Sequence, residues 1–222
     1  MLINAVIFDM DGVLTDSMKY HIESWNYAFN QFEIFPSKKD FALLEGMSYK
    51  ETIEFICNKY NVLLNQNEKD KIYLIKKNKL SEIFHFEIYP EIPSFLKFLK
   101  KQNLQLAVVS GAHKEFVDNI INKFFKEDFE IIITGDDVQK GKPNPEPYLK
   151  AIEKLGHPID KLIVIENAPL GIQSAKEANL QTFALTTTLD KEHLKKADKI
   201  FSSHKELIEY FEELTGQNKT SP

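Results

Sequence analysis

Side chains that suit phosphate chemistry follow four apolar runs of this 222-residue sequence. They are Asp9, Asp11 and Gly12 after "INAVIF", Ser110 and Gly111 after "LQLAVV", Lys142 beyond "FEIIIT", and Glu166 and Asn167 after "KLIVI". The carboxylate and amide oxygens form a set that suits Mg²⁺, which keeps water ligands and needs few ligands from the protein. A lysine and a hydroxyl, with the N–H groups of a helix N-terminus, could hold an anion beside the metal. Adjacent metal and anion sites predict phosphate chemistry.

Two aspartates separated by one residue could share the steps of phosphoryl transfer. One carboxylate can attack phosphorus to give an aspartyl phosphate. The other can protonate the leaving oxygen and later activate water. All 28 basic residues of the chain are lysines, so lysine charges, hydroxyls and backbone N–H groups must bind the phosphate, without the paired donors of a guanidinium.

The apolar runs themselves predict a sheet that is covered on both faces. Continuous apolar segments that read as buried strands lie at 3–8, 104–109, 129–134, 161–166 and 181–186, and helical patterns separate the later ones at 112–126, 145–155 and 169–179. This alternation predicts an α/β fold with a doubly wound, Rossmann-like parallel sheet. Ligands of such sheets bind at the carboxyl ends of the strands, where the polar groups should converge.

One connection is too long for a simple βα unit. The segment 15–88 separates the first strand from the rest of the sheet and has helical periodicity in three stretches, so we expect an inserted all-helical cap domain. The α/β core domain would then comprise residues 1–14 and 89–222. Cys57, the single cysteine, lies among apolar residues at helical spacing and is expected to pack in the core of the cap.

Four segments, "DMDGVLTDS", "VVSGA", "GKPNPEPY" and "VIENAPLGIQSAKEAN", resemble the four ordered motifs of the haloacid dehalogenase (HAD) superfamily. The resemblance is to the phosphatase and β-phosphoglucomutase branch with a helical cap. It implies that Asp9 is the nucleophile and a metal ligand, and that Asp11 is the general acid and base and offers its backbone carbonyl to the metal. It further implies that Ser110 and Lys142 hold the phosphoryl group, with Gly12 and Gly111 beside the substrate, and that Glu166 and Asn167 complete the Mg²⁺ site directly or through water.

The chain departs from that pattern at Asn167, where relatives with "ED" have an aspartate. We expect weaker metal affinity with intact geometry, because one formal charge near the cation is lost and an amide oxygen still coordinates Mg²⁺.

In the cap, His21, the turn 43–51 and Lys77 match positions that face the core site in β-phosphoglucomutases. Glu45 stands where a mutase-like turn is basic, so it would repel a second phosphate. Asp16 could be a helix N-cap or could act at the hinge; His21, Glu45, Lys77 and Asp16 are the predicted cap residues of the substrate site.

These observations favour a Mg²⁺-dependent phosphomonoester hydrolase of a small phosphorylated metabolite, with sugar phosphates preferred. A β-phosphoglucomutase-type phosphomutase is the alternative. A haloalkanoate dehalogenase would need neither Asp11 nor Mg²⁺, a receiver-like module would have no need of the insertion, and a degenerate binding protein would require Asn167 to abolish metal binding.

Net charge and the length of the apolar runs limit the partners and the location that this protein could have. The net charge of −5 is dispersed, which argues against a nucleic-acid partner. The N-terminus lacks a positive n-region, and no apolar run approaches the ~20 residues that would cross a bilayer. We therefore expect a cytoplasmic protein with no membrane partner, and a monomer by default.

Overall fold

The computed structural model describes residues 3–85 and 87–216. The strands are β1 (Ala5–Phe8), β2 (Gln105–Val109), β3 (Ile131–Ile133), β4 (Leu162–Glu166), β5 (Gln181–Leu185) and β6 (Lys199–Phe201). The helices are α1 (Met18–Asn30), α2 (Lys38–Leu43), α3 (Tyr49–Lys59), α4 (Gln66–Ile83), α5 (Ile92–Lys101), α6 (Lys114–Phe124), α7 (Glu146–Leu155), α8 (Pro169–Glu177) and α9 (His204–Gly216). The ends of the predicted core, residues 1–2 and 217–222, and residue 86 of the predicted cap lie outside the described residues.

The strands form one parallel sheet in the order β3-β2-β1-β4-β5-β6. β1 lies in the middle, with Phe8 paired to Val108 of β2 and to Ile165 of β4. The predicted doubly wound sheet is confirmed. β6 was not predicted, because its three residues begin with a lysine and lie between Asp198 and Ser202, whereas the equally short β3 lies within the apolar run 129–134.

Both faces of the sheet are covered, as the continuous apolar runs predict. Side chains alternate along a strand, so Val6 and Phe8 pack into a cluster with α5, α6 and α9, while Ala5 and Ile7 point to the opposite face, against α7 and α8. These four side chains have no measurable solvent exposure. Helices thus pack on both faces of β1, and this packing fixes the carboxyl end of the strand, which Asp9 follows.

The inserted segment has a hydrophobic cluster of its own. Cys57 is buried in this cluster, as predicted. The cluster combines side chains of α1 to α4 and includes Trp25, Phe29, Phe41, Ile53, Ile56 and Ile72. Capping boxes begin three of these helices, at Ser37, Ser48 and Asn65. The boundaries of the core and cap domains remain a prediction.

The short helix α2 was not predicted, because its six residues begin with the polar sequence "KKD". It joins the inserted segment to the core, since Ala42 packs in a cluster with Ile172 of α8, Ala184 of β5 and Leu189. The two connections between the parts lie side by side, because Thr15 and Ile88 form an antiparallel bridge. No described helix is long and apolar enough to cross a membrane.

Candidate active site

A cavity of about 630 Å³ lies between the inserted helices and the carboxyl ends of the central strands. Eight of the predicted site residues line it: Asp9, Asp11, His21, Glu45, Lys77, Ser110, Gly111 and Lys142. These residues come from both parts of the chain and are separated by up to 133 positions. The fold therefore brings the two predicted halves of the site to one place.

Lys142 joins the two carboxylates at the base of the cavity. Its Nζ lies 2.5 Å from Oδ1 of Asp9 and 2.7 Å from Oε1 of Glu166, and it also donates to the carbonyl of Val109 at 3.2 Å. Burial by itself lowers the pKa of a lysine, but the adjacent Asp9 and Glu166 carboxylates hold the pKa of Lys142 well above its usual value. The raised pKa favours a charged ammonium beside Asp9.

The Glu166 carboxylate is fully engaged by the protein. Oε1 accepts hydrogen bonds from Lys142 and from the Tyr148 hydroxyl at 2.9 Å, while Oε2 accepts them from the backbone N–H groups of Asn167 and Ala168. Gly171 makes room for this carboxylate, because a β-carbon there would lie 1.7 Å from Oε1. Glu166 thus holds Lys142 in place and has no oxygen left for direct metal coordination; a role through water remains a prediction.

Asp11 lies at the side of the cavity that the inserted helices cover. Its Oδ1 accepts a 2.5 Å hydrogen bond from the hydroxyl of Ser17 and lies 3.7 Å from Nε2 of His21. Burial raises the pKa of Asp11 above its usual value. A raised pKa favours the protonated form, which is the form that the predicted role of Asp11 as general acid requires.

Burial and the nearby Lys76 ammonium hold the pKa of His21 well below its usual value, so the ring is neutral. Lys76 was not among the predicted site residues, which included the adjacent Lys77. Lys76 is 8% exposed, and its Nζ lies 3.3 Å from Nδ1 of His21 and 5.3 Å from the centroid of the Trp25 ring. Burial lowers the pKa of Lys76 to about 8, although Asp11 opposes this shift.

Helical spacing could have identified this lysine. Lys76 follows the buried Ile72 by four positions on α4 and so shares its buried face, whereas the side chain of Lys77 is exposed even though it borders the cavity. Of the two lysines, the one whose charge acts on Asp11 is therefore Lys76.

Asn167 is completely buried, and its amide group is held from two sides. Nδ2 donates to both carboxylate oxygens of Glu45, at 2.9 and 3.1 Å, and to the hydroxyl of Thr188 at 3.0 Å. Its carbonyl oxygen, Oδ1, is buried and has no partner among the described residues. Gly12 lies outside the lining of the cavity and has a φ of +82°; a β-carbon there would lie 2.1 Å from Nδ2 of Asn167.

The donor set fits Mg²⁺. The unpartnered Oδ1 of Asn167 is a buried polar atom that lacks compensation, and Asp9 has Oδ2 left because Lys142 contacts Oδ1. No group of three or more His, Cys, Asp or Glu side chains in residues 3–85 and 87–216 forms a metal cage. A small number of protein oxygens is nevertheless what Mg²⁺ requires, since it keeps several waters.

Three of the four predicted cap residues of the substrate site line the cavity, and Asp16 does not. Asp16 lies outside the cavity lining, where its 41% exposed side chain pairs with Lys19 at 2.6 Å. The N-cap of α1 is Ser17, so Asp16 is not the N-cap. Its backbone N–H donates to the carbonyl of Glu87 at 3.1 Å, which puts it at the junction of the two connections. Ser110 is 3% exposed and lines the cavity as predicted.

A doubly wound sheet with two aspartates after its first strand and a buried lysine paired to the first of them defines a class of hydrolases. The sequence model described as "Haloacid dehalogenase-like hydrolase" matches residues 6–185, and the chain belongs to this family. The predicted family and the prediction of a hydrolase are thereby confirmed.

The similar proteins within this family are named for different activities. The chain is 26% identical over 179 residues to a phosphorylated carbohydrates phosphatase of Thermotoga maritima, covering 80% of this chain and 82% of the relative. It is 29% identical over 184 residues to a β-phosphoglucomutase of Bacillus subtilis, covering 79% and 80%. A β-phosphoglucomutase structure from Clostridium difficile superimposes with a TM-score of 0.81 at 28% identity, covering 99% of this chain and 100% of that one.

Proposed function

We propose that this protein is a Mg²⁺-dependent phosphomonoester hydrolase that acts on a small phosphorylated metabolite, preferably a sugar phosphate, through an aspartyl phosphate. One observation carries the proposal: Asp9, paired with Lys142 at 2.5 Å, and Asp11 line the same cavity. A nucleophile, an acid and a phosphate-binding cation are thus within one small space. The phosphatase named among the relatives supports a sugar phosphate as substrate.

In the first half of the reaction, an oxygen of Asp9 attacks phosphorus and the bond from phosphorus to the ester oxygen breaks. Asp11 transfers its proton to the departing oxygen, which leaves as an alcohol. Lys142 and the hydroxyl of Ser110 hold the phosphoryl oxygens during this transfer. Mg²⁺, held by Asp9, the backbone carbonyl of Asp11 and Asn167, would neutralise charge on the phosphoryl oxygens.

In the second half, the now ionised Asp11 removes a proton from water, and the water oxygen attacks phosphorus. The bond from phosphorus to Asp9 breaks, which releases inorganic phosphate and restores both aspartates. His21 lies 3.7 Å from Oδ1 of Asp11 on a helix of the inserted segment, so this segment can orient the acid and restrict the access of water.

We also propose that the chain divides into a core domain, residues 1–14 and 89–222, and a cap domain, residues 15–88. The separate hydrophobic cluster of α1 to α4 and the paired connections at Thr15 and Ile88 support it. Opening and closing of the cap about these connections would admit the substrate and then enclose it.

The second candidate is a β-phosphoglucomutase-type phosphomutase. The relatives of that name and the placement of His21 and Lys76 beside Asp11 favour it. A mutase must hold a second phosphate under the cap. Glu45 and the uncharged Tyr49 line the cavity on that side, and a carboxylate there disfavours the second phosphate.

The two candidates are separated by assaying the purified protein with sugar phosphates, nucleotides and p-nitrophenyl phosphate, with and without Mg²⁺. We expect Mg²⁺-dependent release of phosphate that Asp9→Asn abolishes and Asp160→Asn leaves unchanged. Asp160 is the control because its side chain is 73% exposed and precedes β4, at the opposite end of this strand from Glu166. Conversion of glucose 1-phosphate to the 6-phosphate without release of phosphate would establish the mutase instead. Turnover that persists in Asp9→Asn would refute both candidates.

A further inference from the structure

The turn between α2 and α3 of the inserted segment reaches the predicted metal site in the core. Gly46 has a φ of +85°, and a β-carbon there would lie 3.0 Å from Cδ of Lys142. A β-carbon on Gly111, which follows β2, would lie 3.0 Å from the carbonyl oxygen of Gly46. The turn thus packs directly on the core, and Glu45 is directed inward with only 9% of its surface exposed.

The contact that Glu45 makes there determines the orientation of an amide. A carboxylate accepts hydrogen bonds and an amide NH₂ donates them, so Nδ2 of Asn167 must face Glu45, at 2.9 and 3.1 Å. Thr188 binds the same nitrogen at 3.0 Å. The other atom of the amide, Oδ1, is consequently left buried without a partner in residues 3–85 and 87–216.

We propose that Glu45 is a positioning residue of the metal site: from the cap it holds the Asn167 amide so that Oδ1 is presented to Mg²⁺. The inference rests on the proposed Mg²⁺-dependent function and deepens it. Closure of the cap then completes the metal site, and metal binding in turn stabilises the closed cap, because the coupling of two equilibria is reciprocal.

The same contact explains why an amide suits this position. An aspartate at position 167 would present a carboxylate to the Glu45 carboxylate in a buried space, and the two would repel each other. Asn167 removes that repulsion and still offers an oxygen to the cation.

The first test measures Mg²⁺ binding by isothermal titration calorimetry, with no substrate present, for the wild type, Glu45→Ala and the control Glu23→Ala. Glu23 is an exposed glutamate on α1 of the same inserted segment. Residues that orient metal ligands typically contribute 10- to 100-fold to metal affinity. We expect Glu45→Ala to weaken Mg²⁺ binding about tenfold or more and Glu23→Ala to leave it unchanged. Equal affinity of the two variants would overturn the proposal.

The second test follows cap closure by hydrogen exchange of the backbone amides in residues 41–47. Mg²⁺ should slow this exchange in the wild type and in Glu23→Ala, but not in Glu45→Ala. In the metal-free protein, Asn167→Asp should accelerate exchange, and the added change Glu45→Gln should slow it again, because a glutamine NH₂ can donate to the new carboxylate. Exchange in Asn167→Asp that is unaffected by Glu45→Gln would overturn the proposal.

Neither measurement depends on turnover. A protein that shows the coupling but releases no phosphate would refute the proposed function and leave the role of Glu45 intact. A protein that releases phosphate without the coupling would refute only the role of Glu45.

Discussion

Gly12 lies so close to Asn167 that a β-carbon on Gly12 would be 2.1 Å from Nδ2 of the Asn167 side chain. The glycine follows the second aspartate of the first motif, and the asparagine follows β4, so the contact joins two of the predicted motifs across 155 positions of sequence. The backbone oxygen of Gly12 also accepts a 2.6 Å hydrogen bond from Thr187. The absence of a side chain at Gly12 is what lets the Asn167 amide occupy its site.

We expect Gly12→Ala to destabilise the protein and to abolish Mg²⁺ binding, because the new methyl group must displace the Asn167 amide. Gly156→Ala is the matched control: Gly156 also has a positive φ, +67°, but a β-carbon there meets nothing within 4 Å. Left-handed strain alone costs about 1–2 kcal/mol, which Gly156→Ala should show in the free energy of unfolding. A loss in Gly12→Ala no larger than in the control, with Mg²⁺ binding retained, would contradict the steric argument.

Replacement of Lys142 by methionine should unfold the base of the site. Asp9 and Glu166 would then be buried without their shared cation, and breaking a buried ion pair in this way typically costs about 3–5 kcal/mol. Urea denaturation in metal-free buffer at neutral pH would measure the loss, and Lys195→Met, at an exposed lysine, should change stability little. Equal stability of the two variants would mean that the buried carboxylates find other compensation.

Lys76→Met should stabilise the protein while weakening substrate binding. Burial lowers the pKa of Lys76 to about 8, so keeping the ammonium charged in the folded state is unfavourable. At about 1.4 kcal/mol per pKa unit, the methionine variant should gain up to about 3 kcal/mol below pH 8. This gain should shrink as the pH rises above about 8, because the buried lysine of the wild type loses its proton. It should vanish above the ordinary lysine pKa of 10.5, where the lysine is neutral in the folded and in the unfolded state.

The measurement is the free energy of unfolding of Lys76→Met and of the control Lys77→Met between pH 7 and pH 10. A constant difference between Lys76→Met and the wild type across this range would show that the charge of Lys76 does not limit stability. Lys77→Met, at an exposed side chain, should follow the wild type at every pH.

Asp40 should link the stability of the inserted helices to acid pH. Against the effect of burial, hydrogen bonds from Lys59, Tyr60 and Ser37 lower the pKa of Asp40 to about 2. Since the ordinary value is 3.8, the ionised Asp40 stabilises the fold by about 2 kcal/mol at neutral pH. This stabilisation is complete above pH 4 and is lost as the pH falls towards 2.

Asp40→Asn should therefore be less stable than the wild type at pH 7 and approach it as the pH falls to 2. Denaturation of both proteins at pH 7 and at pH 3 would measure the change, with Asp70→Asn, at an exposed aspartate of α4, as the control. A deficit in Asp40→Asn that is independent of pH would assign the effect to packing rather than to charge.

The sequence by itself determined the sheet and the core of the site. Buried parallel strands produce continuous apolar runs, and the carboxyl ends of such strands meet at one edge, so the convergence of Asp9, Ser110 and Lys142 could be foreseen. Two short elements were not predicted: the three residues of β6 lie between Asp198 and Ser202, and the six residues of α2 begin with three polar ones, so neither shows an apolar pattern.

Only the tertiary structure decided which side chains of the inserted helices face the aspartates. Lys76 and Lys77 are adjacent and chemically identical, and a rotation of about 100° between successive helical positions buries one and exposes the other. The contact of Glu45 with Asn167 spans 122 positions and depends on how α2 packs against α8 and β5. Local sequence patterns carry no information on such a distance, because the orientation of two packed units follows from the complementarity of their surfaces.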